Sequence, residues 1–215
     1  MGSGIVDDVR APDVPSPPPD EEPRSPDEPD AALAAHLAAD LDGGFAVLME
    51  RHRAVVWAVA RRLTANPADA EDLAADAFLR AYRALRTYEA ARLERLRVRP
   101  WLLTILRNTA RNAARDRSRR PEPPPSYETV EEPATGPGVE QQVESSHLRR
   151  ELGAALARLP EVQRTAIVLR HVVGLGTGEV AEVLGVAEGT AKSHVSRGLA
   201  RLRPMVEDLR EEGAS

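Results

Sequence analysis

The stretch TGEVAEVLGVAEGTAKSHVSRGLARLR, residues 177–203, decides the fold of this 215-residue chain. Its first part predicts a short helix over Gly178–Leu184 with Thr177 as its N-cap and Gly185 directly after it, because glycine is favoured just past a helix C-terminus. Its second part predicts a helix over 187–203, in which apolar residues recur at steps of four, four and three and face a core. Two helices joined by a short glycine-containing turn form the helix-turn-helix pattern. The core-facing residues of the second helix are Ala191, Val195, Leu199 and Leu202.

The outward face of the second predicted helix suits a DNA major groove. Its side chains are small, hydroxyl-bearing or cationic, and Glu188, at the helix start, is the only carboxylate in 187–203. A recognition helix needs small residues for close approach, and it needs donors for base edges and phosphates. The alternative, a solvated amphipathic helix, is disfavoured by the short helix and glycine turn that precede it. The candidates for groove contact are Lys192, Ser193, Ser196, Arg197 and Ala200.

Charge and proline are segregated along the chain, although its net charge is only −5. Residues 1–30 and 121–147 are acidic and rich in proline, so they predict a disordered tail and a flexible linker. The chain has no cysteine, which excludes disulfides. Its longest apolar run has seven residues, far short of the roughly 20 that span a membrane. We therefore expect a soluble cytoplasmic protein with two globular domains, 31–120 and 148–215.

Both domains are predicted to be helical. Apolar residues recur at steps of three and four over 45–63, which indicates one buried helix face. Asn66 and Pro67 then predict an N-cap and the first residue of the next helix. No alternating run is long enough for a strand, so the predicted fold class is all-α, with two small helical domains joined by the acidic linker. Further helices are predicted at about 67–87, 100–120, 147–158 and 161–173.

An arginine-rich segment of the first domain is a candidate nucleic-acid site. Residues 92–120 hold ten arginines and two acids, a density expected where phosphates are bound. Asn108 and Asn112 lie four residues apart on the predicted helix, and amide side chains of this kind read base edges or cap helices. For the last arginines of the segment, a basic helix C-terminus that complements the helix dipole is the simpler interpretation.

A cluster of carboxylates precedes that segment. Asp69, Glu71, Asp72 and Asp76 fall within eight residues at the start of a predicted helix. Acids in such a cluster suit a metal-dependent nuclease, and they equally suit a surface that binds a basic partner protein. No histidine stands at a ligand spacing from them, so the partner surface is the favoured interpretation.

Three stretches of the sequence resemble the extracytoplasmic-function (ECF) group of bacterial sigma factors. They are NPADAEDLAADAFLRAYRAL at 66–85, RPWLLTILRNTARNAARDRSRR at 99–120, and the segment 159–203 that contains the helix-turn-helix. The resemblance implies a promoter-specificity subunit, non-catalytic and without a cofactor, that binds core RNA polymerase, recognises −10 and −35 promoter elements and helps melt the −10 DNA. The alternatives are a duplex-only helix-turn-helix regulator that acts without core polymerase, and the metal-dependent nuclease.

The same resemblance assigns partners and site residues. The helix at about 67–87 would dock on the clamp coiled coil of the polymerase's largest subunit, and the chain would also contact the flap of the second-largest. An anti-sigma factor is a further partner that the resemblance raises, and no membrane insertion is implied. Asn108 would line a pocket for an extruded base, and Pro204 would interrupt a helix that usually continues in the family. The assigned residues are Asp69, Asp72, Asp76, Leu79 and Arg80 for polymerase, Arg107, Asn108, Arg111 and Arg115 for the −10 element, and Arg170, Lys192, Ser193, Ser196 and Arg197 for the −35 element.

Overall fold

The computed structural model describes residues 28–119 and 151–212. Within these two ranges every regular element is a helix and no strand is present, which confirms the all-α prediction. The segments predicted as a disordered tail and a flexible linker lie outside the described residues, except for the last three residues of the tail, which begin the first helix.

The first domain contains five of the helices. Two of them were not predicted: the first, whose alanine-rich sequence favours a helix, and the fourth, a short helix inside a segment expected to be a loop. Leu33 and Leu37 of the first helix are buried where it packs against the second helix. The helices are α1 (Glu28–Ala39), α2 (Leu41–Leu63), α3 (Pro67–Leu85), α4 (Ala90–Glu94) and α5 (Val98–Arg119).

Local capping signals set where α2 and α3 begin. The Asp40 side chain accepts a hydrogen bond of 3.1 Å from the Gly43 N–H, and the Asn66 side chain accepts one of 2.8 Å from the Asp69 N–H. Pro67 occupies the first turn of α3, where a missing N–H costs nothing. The N-cap and the start of α3 that the sequence predicted are therefore confirmed.

Replacing Asn66 by alanine is expected to destabilise the protein by about 1 kcal/mol, because the Asp69 N–H loses its acceptor. Urea unfolding followed by circular dichroism at 222 nm measures this loss. Asn66→Asp keeps an acceptor oxygen and serves as the matched control, with a stability close to that of the wild type. Equal stability of the alanine and aspartate variants would show that the cap contributes nothing.

The second domain forms the helix-turn-helix and its support. Gly185 lies between the two helices of the motif with a φ of 64°, a left-handed conformation that favours glycine and ends the first of them as predicted. That helix starts at Thr177 with Gly176 before it, so Thr177 is not its N-cap, contrary to our expectation. Pro204 lies inside the last helix and does not end it, which is a second correction. The elements are α6 (described over 151–157), α7 (Glu161–Ile167), a π-helix (Val168–Val172), α8 (Thr177–Leu184) and α9 (Glu188–Glu212).

The face that α9 turns to the core differs from the predicted one at a single position. Leu199, expected inside, is 37% exposed, whereas Gly198 is buried. A Cβ at Gly198 would lie 2.7 Å from Cδ1 of Ile167, so α7 and α9 approach closely because this residue has no side chain. The buried face of α9 therefore includes Gly198. A pattern of regularly spaced apolar side chains does not detect a buried glycine.

The two domains share one continuous buried core. The cluster of buried apolar residues extends from α1–α5 into the π-helix and α8. Residues 101–106 of α5 are all buried, because α5 packs against α1, α2 and α3 of its own domain and against α8 of the second domain. Contacts with the other domain are thus added to contacts within its own domain, and α5 is buried over six consecutive residues.

Candidate nucleic-acid and polymerase-binding surfaces

The outer face of α9 carries the predicted groove-contacting residues together. Lys192, Ser193, Ser196 and Arg197 are all exposed. The Ser193 hydroxyl donates to the Gly189 carbonyl at 2.9 Å, and Arg197 Nε donates to the Ser193 carbonyl at 3.2 Å. These internal bonds hold the two side chains along the helix while the rest of the Arg197 guanidinium remains exposed. The surface is therefore cationic, hydroxyl-bearing and free of carboxylates, as the sequence indicated.

Arg170 lies on the π-helix, outside α9. Its side chain is exposed, and its guanidinium donates to the Leu175 carbonyl at 3.0 Å. This bond closes the loop that contains Gly174, whose φ of 79° places it in the left-handed region. Arg170 therefore stabilises the segment leading into α8 and keeps part of its guanidinium accessible to solvent.

The predicted −10 residues divide into covered and exposed side chains. Arg107 is half-buried, and burial, followed by the neighbouring Arg111 charge, lowers the pKa of its guanidinium. Its NH1 donates to the Val183 carbonyl of α8 at 3.4 Å. Arg111 forms an ion pair of 3.9 Å with Glu161 of α7, and Arg115 is exposed near the end of α5. Two of these arginines are thus held by the second domain.

Two further arginines reach the second domain. They lie in the arginine-rich segment 92–120, but sequence reasoning gave neither of them an individual role. Arg97 donates to Glu182 at 2.5 Å and to Glu179 at 3.4 Å, both on α8. The Arg99 backbone N–H donates to Asp30 at 3.2 Å, and its guanidinium donates to the Val173 carbonyl. The high arginine content of 88–99 was the available signal, but it carries no information about partners more than 70 residues away in the sequence.

The predicted polymerase residues lie along one side of α3. Asp69, Asp72 and Asp76 follow one another at steps of three and four, which places them on one helix face, and they line a cavity between α3, α5 and the end of α2. Asp76 pairs with Arg80 at 3.0 Å, and Leu79 is 46% exposed beside them. The face combines an exposed apolar side chain with surrounding charges.

Two searches of the described residues give negative findings. In the ranges 28–119 and 151–212, no group of three or more histidine, aspartate or glutamate side chains is arranged to hold a metal ion. Over the same ranges, none of the helices is both long enough and apolar enough to cross a membrane.

A helix-turn-helix with an acid-free recognition face, joined to a second helical domain with acidic and arginine-rich surfaces, defines a two-domain DNA-binding protein. The family model of Sigma-70 region 2 matches residues 48–120, and that of Sigma-70 region 4 matches residues 149–202. The chain belongs to the ECF RNA polymerase sigma factors. The identification made from the three sequence stretches is confirmed, and with it the function of a promoter-specificity subunit.

Curated relatives extend over most of the chain. CarQ, an RNA polymerase sigma factor of Myxococcus xanthus, is 34% identical over 79% of this chain and 93% of its own length. The ECF sigma factor SigM of Mycobacterium tuberculosis is 36% identical over 79% of this chain and 80% of its own length. SigE of Mycolicibacterium smegmatis is 37% identical over 73% of this chain, and the match spans only 59% of SigE.

Solved structures show the same fold. CnrH, in complex with the cytosolic domain of CnrY, matches with a TM-score of 0.61 at 23% identity over 84% of this chain and 99% of CnrH, a likeness that speaks for the fold. The sigma factor RpoE of Bartonella quintana, in complex with the anti-sigma factor NepR, matches with a TM-score of 0.57 at 26% identity over 78% of this chain and 97% of RpoE.

Proposed function

We propose that this sigma factor binds core RNA polymerase through α3, places α9 in the major groove of the −35 element and holds the melted −10 element on α5. The observation that supports this most directly is the exposed, carboxylate-free face of α9 within the segment matched by Sigma-70 region 4. In this proposal the chain catalyses no reaction itself and works in the cytoplasm, where the polymerase and the chromosome are found.

The α9 face has the chemistry of a groove reader. Ser193 and Ser196 are short enough to let the helix approach the bases. The Ser196 hydroxyl can donate to or accept from a base edge, and the Ser193 hydroxyl, which donates to the Gly189 carbonyl, can accept. Arg197 has guanidinium N–H groups left after its bond to the Ser193 carbonyl, and an arginine of this kind contacts guanine with two hydrogen bonds. Lys192 on α9 and Arg170 on the π-helix are assigned to contacts with bases or phosphates.

The −10 element is assigned to the outer part of α5. Asn108 is half-buried there, one residue after Arg107 and three before Arg111. An amide in such a position recognises an extruded base, whose removal from the stack costs a few kcal/mol that the pocket must offset. Arg115, exposed one turn further along the helix, is assigned to the phosphate backbone together with Arg111.

The α3 face is assigned to the clamp coiled coil of the polymerase's largest subunit. Leu79 supplies an apolar anchor, and the charged side chains of Asp72, Asp76 and Arg80 form a rim around it. Hot spots in protein–protein interfaces usually have this arrangement. The flap of the second-largest subunit is a further proposed contact. An anti-sigma factor is also proposed as a partner, since RpoE was solved in complex with one.

Run-off transcription with core polymerase tests the proposed function. Added chain is expected to produce defined start sites, and the chain should copurify with core polymerase at low salt. The Asp72→Ala, Asp76→Ala double variant should lose about tenfold in affinity for core polymerase at low salt and less at high salt, because two rim charges contribute roughly 0.7 kcal/mol each through screened electrostatics, while its binding to −35 duplex is unchanged. Wild-type protein that binds duplex but never associates with polymerase would instead support the duplex-only regulator. Magnesium-dependent cleavage that the double variant loses would support the nuclease.

A further inference from the structure

One face of α2 presents a tryptophan to solvent. Among the described residues, α1, α3, α5 and the π-helix pack against α2, and they leave Trp57 46% exposed. The other tryptophan of the chain, Trp101, is buried at 7% exposure. An indole ring combines a large apolar surface with an N–H donor at its edge, and tryptophan is enriched at the energetic centres of interfaces for that reason. Trp57 is therefore a candidate anchor for a binding partner.

The charge around Trp57 is positive. Arg53 and Arg61 lie four residues before and four residues after it, on the same face of the helix. The guanidinium carbon of Arg61 is 5.9 Å from the centre of the Trp57 ring. Residues 51–63 contain four arginines and no carboxylate, and the ion pair of 3.7 Å that Glu50 forms with Arg53 is exposed, so it stabilises little. This Trp57 face, formed by Trp57 with Arg53 and Arg61, suits an acidic ligand with apolar groups.

The sequence that precedes α1 contains a segment with the complementary chemistry. Residues 15–23 read PSPPPDEEP, with five prolines, three carboxylates and no cation. Proline-rich sequences favour the polyproline II conformation, which binds aromatic side chains at a low cost in entropy. The carboxylates of Asp20, Glu21 and Glu22 follow the prolines directly, so prolines on an aromatic ring would bring these acids close to arginines beside it.

The start of α1 lies within reach of the Trp57 face. A single residue joins α1 to α2 and the two helices pack against each other, so the start of α1 lies beside the middle of α2. Burial lowers the pKa of the His52 imidazole and the nearby Asp30 carboxylate opposes this shift, in agreement with that placement. His52 precedes Trp57 by five residues, about 8 Å along a helix axis. The chain from Pro23 to Glu28 reaches roughly 15 Å at about 3.1 Å per residue, so residues 15–23 can meet the Trp57 face without any movement of a helix.

We propose that residues 15–23 bind the Trp57 face of α2 in the same molecule, with the prolines on the indole ring and the carboxylates beside Arg53 and Arg61. The contact involves neither DNA nor polymerase and does not depend on the proposed function. A short tether gives the two partners an effective concentration on the order of millimolar, so a contact too weak to form between separate molecules is populated within one chain. Added salt weakens it, because the charged groups lie at the surface.

Quenching of tryptophan fluorescence by acrylamide, a neutral probe, measures whether Trp57 is covered in the full chain. The share of the buried Trp101 is measured with the Trp57→Phe variant and subtracted. The triple variant Asp20→Asn, Glu21→Gln, Glu22→Gln should raise the quenching constant of Trp57 about twofold, as expected when a contact populated in about half of the molecules is lost. Added salt should raise the quenching constant of the parent protein in the same way.

The matched control neutralises three other carboxylates that precede the same helix. Asp7→Asn, Asp8→Asn, Asp13→Asn makes an equal change of charge outside residues 15–23, and it should leave the quenching of Trp57 as it is in the parent protein. Equal increases in the two triple variants would show a general effect of charge and would overturn the assignment to residues 15–23. Quenching that is the same in the parent protein and in both variants would overturn the contact itself.

Two further measurements test the prolines and the intramolecular character of the contact. Pro17→Gly, Pro18→Gly, Pro19→Gly keeps every charge and should also raise the quenching of Trp57; unchanged quenching would overturn the contact between the prolines and the ring. The protection of Trp57 should be independent of protein concentration. Protection that grows with concentration would mean that a second copy of the chain covers this face, and the intramolecular contact would be wrong.

Discussion

Leu106→Ala is expected to lower the free energy of unfolding by about 2–5 kcal/mol, the largest single effect that the fold predicts. Leu106 is completely buried in α5, the helix that packs against α1, α2, α3 and α8. Truncation removes apolar atoms from this core and leaves a cavity that four surrounding helices are poorly able to close, so both the transfer cost and the cavity cost apply. Urea unfolding followed at 222 nm gives the difference directly.

Leu79→Ala is the matched control for this truncation. The same atoms are removed, but Leu79 is 46% exposed on α3, so a stability change below about 0.5 kcal/mol is expected. Leu79→Ala should instead weaken binding to core polymerase. Leu106→Ala should leave that affinity unchanged at temperatures where the variant is folded. If Leu106→Ala lost less than about 1 kcal/mol, the enclosure of α5 described above would be wrong.

Arg197→Ala is expected to weaken binding to −35 duplex by about 1–3 kcal/mol, since a guanidinium that contacts a base contributes an amount of this size. The effect should depend on sequence: it should shrink when the contacted base pair is replaced. Arg197 is exposed on α9 and makes its internal bond only through Nε to a backbone carbonyl, so its removal should not perturb the fold.

Fluorescence anisotropy with a labelled −35 duplex measures that loss. Arg158→Ala removes an equal charge from an exposed position outside α9, and it should reduce affinity only through the general electrostatic contribution. An Arg197→Ala variant that is folded and binds duplex as tightly as the wild type would reject the assignment of this residue to the groove.

Local signals in the sequence were sufficient for most of the helices. The Asn66-Pro67 pair marked the start of α3, and Gly185 marked the turn of the helix-turn-helix, because both act through the backbone of neighbouring residues. The exposed face of α9 followed from residue type and helical spacing. The prediction that Leu199 is buried was wrong. Gly198 packs against α7 instead, and a glycine has no apolar side chain that a sequence pattern could detect.

Contacts between the domains were beyond such reasoning. Arg97 and Glu182 are 85 residues apart, and nothing in the spacing of either segment indicates that they meet. For the same reason Arg107 and Arg111 were predicted from their residue type as DNA-binding candidates, while their engagement with α7 and α8 was not foreseen. The pairing depends on how two folded domains pack together, and single-sequence periodicity describes each helix only by itself.

Lys192, exposed on α9, has one more consequence for experiment, because it is the only lysine among 29 cationic side chains. Guanidinium groups do not react with mild acylating reagents, so such a reagent modifies one side-chain amine of this protein in addition to the α-amino group of the chain. Protection of Lys192 by added duplex, compared with the α-amino group as an internal reference, is therefore a footprint of α9 that needs no mutation.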